Sequence, residues 1–318
     1  MTQKPRVDIL MATYNGQTFL REQVSSLQAQ THENWRLLVS DDGSTDDTVE
    51  LLHTLSDEDE RICVLEDEQL HRGPCGRFLW LLEQSSADYV LFCDQDDYWK
   101  ARKVETLLDA CRRSEAKLGS DSPVLVFCDA AVVNDRLEPL ADSFMAYEHF
   151  DPRGTELRQL LVCNVAPGCA MLFNRALIDC LELPDDISDV IMHDWWLMLT
   201  AAALGTIVYV DEPLIKYRQH ETNVEGAKTF DVLGYLRKLD DVARSHLKCQ
   251  RQARAFATAY CRRLTPEDYV MCEAFGDMRK GGLQPVLTLA RYGLWQPSVP
   301  RRIGQVTVRL LNRPADEA

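Results

Sequence analysis

Four short apolar runs in the first hundred residues alternate with stretches of helical spacing, and this alternation narrows the possible folds sharply. Residues 7–13 (VDILMAT), 35–40, 61–65 and 89–93 (YVLFC) have the length and apolar content of buried strands. Residues 17–30 and 74–85 instead repeat their apolar positions every three or four residues, and Ser44 or Thr45 is placed to cap a helix running to about Leu55. Strands alternating with helices give a doubly wound α/β sheet, mostly parallel and flanked by helices. A charged amphipathic helix at 101–116 follows, then strands at 124–128, 170–173, 207–210 and 214–217. A hairpin or loop and a helix near 155–162 fall between them, and a helix from near Asp194 ends at Gly205. Beyond about Lys228 the pattern turns helical, as a C-terminal extension.

Three polar clusters, Thr13–Asn15, Asp41–Ser44 and Asp94–Asp97, each follow the carboxyl end of an expected strand. Ligands of such sheets bind at those ends. No GxGxxG follows the first strand and no GxxxxGK[ST] occurs, so neither a dinucleotide fingerprint nor a P-loop is present. Asp94, Asp96 and Asp97 lie within four residues, and a hard divalent cation, Mg²⁺ or Mn²⁺, relieves the repulsion among carboxylates so placed. With a second acidic pair and a Tyr-Asn pair at neighbouring strand ends, the set suits a nucleoside diphosphate.

Composition removes other classes. Lys and Arg number 35 against 50 Asp and Glu, a net charge of −15, which argues against nucleic-acid binding. The 11 Cys are scattered without a CxxC pair, as expected of reduced cytoplasmic thiols rather than a zinc site. The first residues lack the layout of a signal peptide, and no run reaches about 18 apolar residues, so no transmembrane helix is expected. Residues 279–313 depart from the rest: they hold seven Lys and Arg and no acid, interleaved with Leu, Val, Ile and Trp. Such a segment suits an anionic membrane surface, or else packing on the acidic body or a homodimer contact.

The order and separation of MATYNG, VSDDGSTDDT, FCDQDDYW and MHDWW resemble glycosyltransferase family two. DQDDYW with NVAPGCAMLFNRAL, HDWWL and YRQHETNV is similar to its rhamnosyltransferase-like branch. The resemblance covers about residues 5–225 and implies a GT-A-type mixed sheet and transfer with inversion. It implies a divalent metal, a nucleotide-sugar donor, with dTDP-L-rhamnose first and UDP-sugars second, and a saccharide or lipid-linked acceptor. The expected organisation is a catalytic domain at 1–225, with a nucleotide-sugar half (about 1–100) and an acceptor half (about 101–225), then a helical region at 226–318. The implied setting is bacterial cell-surface polysaccharide synthesis in the cytoplasm, at the inner face of the cytoplasmic membrane.

Carried across residue by residue, the resemblance makes Asp194 the catalytic base. Thr13, Tyr14 and Asn15 line the nucleobase pocket, and Asp42 accepts the N3–H of uracil or thymine while Asp41 supports the turn. Asp94 and Asp96 supply the D-x-D. Asp96, Asp97 and His220 are the metal candidates, and Arg218 suits diphosphate oxygens. Gly168 and Cys169 approach the acceptor side, where Trp195 and Trp196 follow the base and one of the two is expected in the core. Arg77 stands where relatives carry Asn, and its partner, a phosphate or an acid, stays open. His32, His53, His71, His149 and His246 are expected at the surface or in caps. Two other classes compete: a sugar nucleotidyltransferase, whose Gly-rich N-terminal signature is absent, and a non-catalytic nucleotide- or saccharide-binding protein.

Overall fold

A computed structural model describes residues 4–220, 239–278 and 281–310. Its core is one curled sheet. Strands β1 (Val7–Thr13), β2 (Trp35–Asp41), β3 (Ile62–Val64) and β4 (Tyr89–Cys93) pair in parallel in the order β3-β2-β1-β4. Helices α1 (Leu20–Gln28), α2 (Thr48–Glu58) and α3 (Gly73–Gln84) make the crossovers. All of β4 and all of β1 but Ala12 are buried, as strands covered on both faces must be. The register sets Thr13 beside Asp41 and Met11 beside Cys93, so the three polar clusters emerge together at one edge.

Past β4 the sheet is mixed. The two-residue strand β5 (Tyr98–Trp99) leads into α4 (Lys103–Leu118), and β6 (Val124–Val133) forms a hairpin with β7 (Pro139–Ala141). The short helices α5 (Phe144–Tyr147) and α6 (Leu157–Leu160) follow. Strand β8 (Met171–Asn174) then inserts antiparallel between β4 and β6, ahead of α7 (Arg175–Ile178) and α8 (His193–Leu204). The two strands expected at 207–217 are one, β9 (Thr206–Arg218). A bulge sets Asp129 opposite Pro213, and Asp211 and Glu212 loop outward into solvent. Pro213 has no N–H to give a regular ladder, so the interruption costs little there. The far half of β9 pairs with β5, which delivers Arg218 to the acidic cluster.

The α2 cap differs from expectation. The N-cap is Asp47, which makes no side-chain cap bond; Asp46 before it accepts the Thr48 N–H at 3.1 Å, and the Ser44 and Thr45 side chains are engaged at the strand ends. Helices α9 (Leu239–Ala259), α10 (Pro266–Gly276), α11 (Leu283–Tyr292) and α12 (Val299–Leu310) form the C-terminal part. Phe256, Tyr260, Phe275, Leu289 and Leu294 belong to the same apolar core as the sheet. Part of the basic tail turns inward too: Arg301 pairs with Glu148 at 2.9 Å, and buried Arg309 donates to Gln250 at 3.1 Å. Arg279, Lys280 and Arg313, and the expected domain boundary at 225, lie outside the described residues. His32 and His246 are buried, contrary to expectation: His32 Nε2 lies 3.0 Å from the Pro5 carbonyl, and α9 covers His246 on its inward face. No helix among the described residues is long and apolar enough to cross a membrane.

Candidate active site

The strand ends are laced together before any ligand is considered. Asp41 accepts from the Thr13 hydroxyl at 2.9 Å and from the Gly43 and Ser44 backbone N–H groups at 2.9 and 2.7 Å, which fixes the turn. Asn15 adopts φ 48°, a left-handed conformation that Asn tolerates well, and its side-chain oxygen accepts the Thr45 N–H at 2.9 Å. Gln95 bridges to the first strand, accepting from Tyr14 N and donating to Tyr14 O, both at 3.0 Å. The buried Thr13 side chain and the Asn15 amide oxygen thereby brace the strand-end turns. Tyr14 is 52% exposed, with its ring free of the core.

Asp42 is tied differently. Its Oδ1 accepts from Arg72 N at 2.9 Å and from Arg77 Nε and Nη2 at 3.1 and 2.8 Å, while Oδ2 accepts Gly73 N at 2.9 Å. Arg77 is fully buried and also donates to Ser40, Asp67 and the Gln69 carbonyl. An acid is thus its partner, and all five guanidinium N–H groups are used. The signal was in the sequence: Arg77 sits on the apolar face of α3 beside Phe78 and Leu81, where a cation needs a partner.

The D-x-D segment divides into two groups. Asp94, Asp97 and Cys169 point ligand atoms to within 4.8 Å of one another. Burial, then Asp96, raises the Asp94 carboxyl to about 6, and burial and the same neighbours hold Asp97 well above the usual range. Burial also lifts the Cys169 thiol well above its ordinary value, so it stays protonated and is a poor metal ligand. Beneath them Lys103 is fully buried, donates to the Cys169 carbonyl at 2.5 Å and lies 3.0 Å from the Trp99 ring centroid. Burial lowers its ammonium to about 8. The second group is more open: His220 Nε2 lies 2.8 Å from Asp96 Oδ2, with its ring against Phe19.

A divalent cation fits this donor set. The buried Asp97 Oδ2 has no hydrogen-bond partner among the described residues, and the hard carboxylate oxygens of Asp94 and Asp97 converge there, while the His220 imidazole stands with Asp96 in the second group.

Asp194 lies in the first turn of α8, where the helix dipole favours the carboxylate. It accepts the Trp195 N–H at 2.5 Å. A Cβ at Gly168 would stand 3.2 Å from Asp194 Cβ and 3.2 Å from His193 Nε2, so the glycine is what lets these elements touch. His193 stacks on Phe78 at 4.2 Å and meets Phe92 edge-on at 4.6 Å. Burial lowers its pKa to about 3, so it is neutral.

The family profile described as Glycosyl transferase family 2 matches residues 8–181, more than half of the chain. The chain belongs to glycosyl transferase family 2. Among curated family members it is 27% identical over 227 residues to the dTDP-rhamnosyl transferase RfbG of Shigella flexneri, covering 68% of this chain and 74% of that one. It is also 27% identical over 237 residues, 72% of this chain and 85% of the other, to an Escherichia coli enzyme. That relative is WfgD, a UDP-Glc:alpha-D-GlcNAc-diphosphoundecaprenol beta-1,3-glucosyltransferase. Among solved structures, Staphylococcus aureus TarS 1–349 in complex with UDP-GlcNAc superposes with a TM-score of 0.53 at 17% identity, covering 96% of this chain and 90% of that one. The shared fold is GT-A, as the family resemblance implied.

Several family 2 residues stand elsewhere than the resemblance implied. Arg218 is 1% exposed: its Nε donates to the Asp96 carbonyl at 2.6 Å, its Nη2 to Glu22 at 2.5 Å and its Nη1 to the Asp135 carbonyl, while its backbone N–H donates to Asp97 at 3.1 Å. These bonds make it a brace for the acidic segment rather than an arm for diphosphate. Cys169 lies under the D-x-D and not on an acceptor surface. Trp196 is fully buried, donates to the Glu182 carbonyl at 3.0 Å and packs edge-on against Phe256. Trp195 is half-buried and donates to the Leu160 carbonyl at 2.6 Å, so of the two it alone keeps surface toward a ligand.

Proposed function

We propose that this chain is an inverting glycosyltransferase. It transfers a sugar from dTDP-L-rhamnose to a saccharide or lipid-linked acceptor in bacterial cell-surface polysaccharide assembly. The observation that carries the mechanism is the Gly168–Cys169 dipeptide: its glycine abuts Asp194 and its thiol abuts Asp94 and Asp97. Base and acidic cluster are therefore held a single dipeptide apart. Asp194 takes the proton from an acceptor hydroxyl as that oxygen bonds to the anomeric carbon, and the bond from that carbon to the diphosphate oxygen breaks. A single displacement of this kind inverts the configuration. Neutral His193, wedged between two phenylalanines, keeps cationic charge away from the base.

Asp94 and Asp97 would hold Mg²⁺ or Mn²⁺, with Asp96 and His220 as the pair beside them, and the cation would supply Lewis-acid neutralisation of the departing diphosphate. Asp42 Oδ2 takes one backbone N–H and retains capacity for the N3–H of a pyrimidine base. Tyr14 offers a stacking face. Likeness to RfbG supports the rhamnosyl donor. Likeness to WfgD supports the second reading, a UDP-sugar donor, because uracil and thymine present the same N3–H edge to Asp42. On this reading residues 1–225 are the catalytic domain, 226–318 a helical region, and the enzyme works in the cytoplasm at the membrane's inner face.

A thermal-shift panel of UDP-, dTDP-, GDP- and CMP-sugars, with and without Mn²⁺ or Mg²⁺, tests the proposal. A metal-dependent shift largest with dTDP-rhamnose is expected. A larger shift with a UDP-sugar moves the donor to the second reading, and no shift with any nucleotide overturns both.

A further inference from the structure

Helix α12 carries apolar side chains on both faces, with Val308 buried in a cluster with Leu239 and Val242. Val299, Ile303 and Leu310 recur on its outward face at 66%, 54% and 49% exposure, while Gln305 and Arg309 face inward and are buried. A helix packed on a globular body ordinarily leaves its outward face polar. The neighbouring α11 repeats the feature with Leu283 and Leu287, and the two helices are in contact. Five of the thirteen exposed large apolar side chains among the described residues thus fall within 28 consecutive positions. Such clustering marks an interaction surface. Exposed Arg291 and Arg302 flank it.

The charge distribution selects the partner. Residues 279–313 contain seven cations and no Asp or Glu, so the rest of the chain carries a net −22 against an overall −15. A symmetric contact between two copies through this face would set arginines against arginines with no acid to pair them. An anionic bilayer complements both features, apolar depth for the leucines and isoleucine and negative headgroups for the arginines. The acidic remainder repels the same bilayer, which leaves one docking orientation.

We infer that the outward face of α11 and α12 docks this enzyme peripherally onto an anionic lipid surface. Cosedimentation of the full chain with phosphatidylcholine vesicles, with and without roughly 30% phosphatidylglycerol, tests this. The expected result is a roughly tenfold to thirtyfold preference for the anionic vesicles, from the two exposed arginines, that weakens at high salt. The double variant Leu287→Ser/Ile303→Ser should lose binding by about tenfold or more, with thermal unfolding unchanged. Arg291→Glu/Arg302→Glu should abolish the lipid preference. Absence of vesicle binding overturns the inference, as does binding that neither variant alters. So does a dimer, seen by light scattering, that Leu287→Ser/Ile303→Ser dissociates while the parent chain ignores vesicles. Nucleotide binding enters none of these readouts, so failure here leaves the donor reading untouched.

Discussion

Replacing Arg77 with Met tests the physical account of the nucleotide side most directly. The guanidinium is fully buried, and its five N–H groups meet Asp42 twice, Ser40, Asp67 and the Gln69 carbonyl at 2.8–3.2 Å. Methionine fills similar volume and removes the charge and every donor. Breaking a buried ion pair by removing one partner typically costs about 3–5 kcal/mol. The low end applies here, because Asp67 keeps Arg72 and Asp42 keeps the backbone N–H groups of Arg72 and Gly73. A loss of about 3 kcal/mol lowers the melting temperature of a chain this size by roughly 4–5 °C. Arg77→Lys retains the charge but offers at most three donors, so it should fall between the two. Urea denaturation reads the stability. Calorimetric titration with a nucleoside diphosphate should show affinity reduced about tenfold or more, since Asp42 and the 67–73 loop lose their common anchor. If Arg77→Met stays within about 1 kcal/mol of the parent and binds nucleotide equally, the buried network does not organise this pocket.

Asp194→Asn should leave donor binding intact and cut transfer by roughly 10²–10⁴, and full activity would remove Asp194 from the mechanism. Gly168→Ala forces a methyl to 3.2 Å from Asp194 Cβ, so transfer measured at saturating donor should drop about tenfold or more with affinity preserved. Asp96→Ala, or EDTA on the parent, should abolish nucleotide-induced stabilisation while circular dichroism stays unchanged. His193 and His246 are both lowered to about 3 by burial, so the unfolded chain binds their protons first as pH falls. Their stabilisation is complete above about pH 6.5 and is lost progressively toward pH 3, by roughly 1.4 kcal/mol per unit per group. Melting temperatures from pH 7 to 4.5 should show this slope, and His193→Phe should reduce it by about half, leaving the His246 share.

The parts of this fold that could be read from the chain were those fixed locally. Strand β4 is apolar throughout and stops at an acid, and α8 starts beside Asp194 and ends at Gly205, so their bounds follow from composition alone. Direction and partnership were less legible. Four residues at 171–174 carry no sign that they run antiparallel, and the bulge that makes 206–218 one strand depends on what Asp129 meets across the sheet. At the site, motif spacing found the acids but not their duties. Arg218 and Arg77 are both arginines near carboxylates, and only tertiary packing shows that each is fully engaged as a brace. Burial separates Trp195 from Trp196 for the same reason: adjacent helical positions differ by about 100° of rotation, and the packing of α9 decides which one is covered.

Lys103 gives the acidic cluster a counter-charge of its own. Its ammonium lies beneath Asp94, Asp97 and the Cys169 carbonyl, capped by the Trp99 ring, and from β9 the Arg218 backbone N–H donates to Asp97. The two buried carboxyls are only partly offset by this ammonium, and the uncompensated remainder shows as their raised pKa values. A divalent cation bound there would supply the positive charge that the fold itself leaves short.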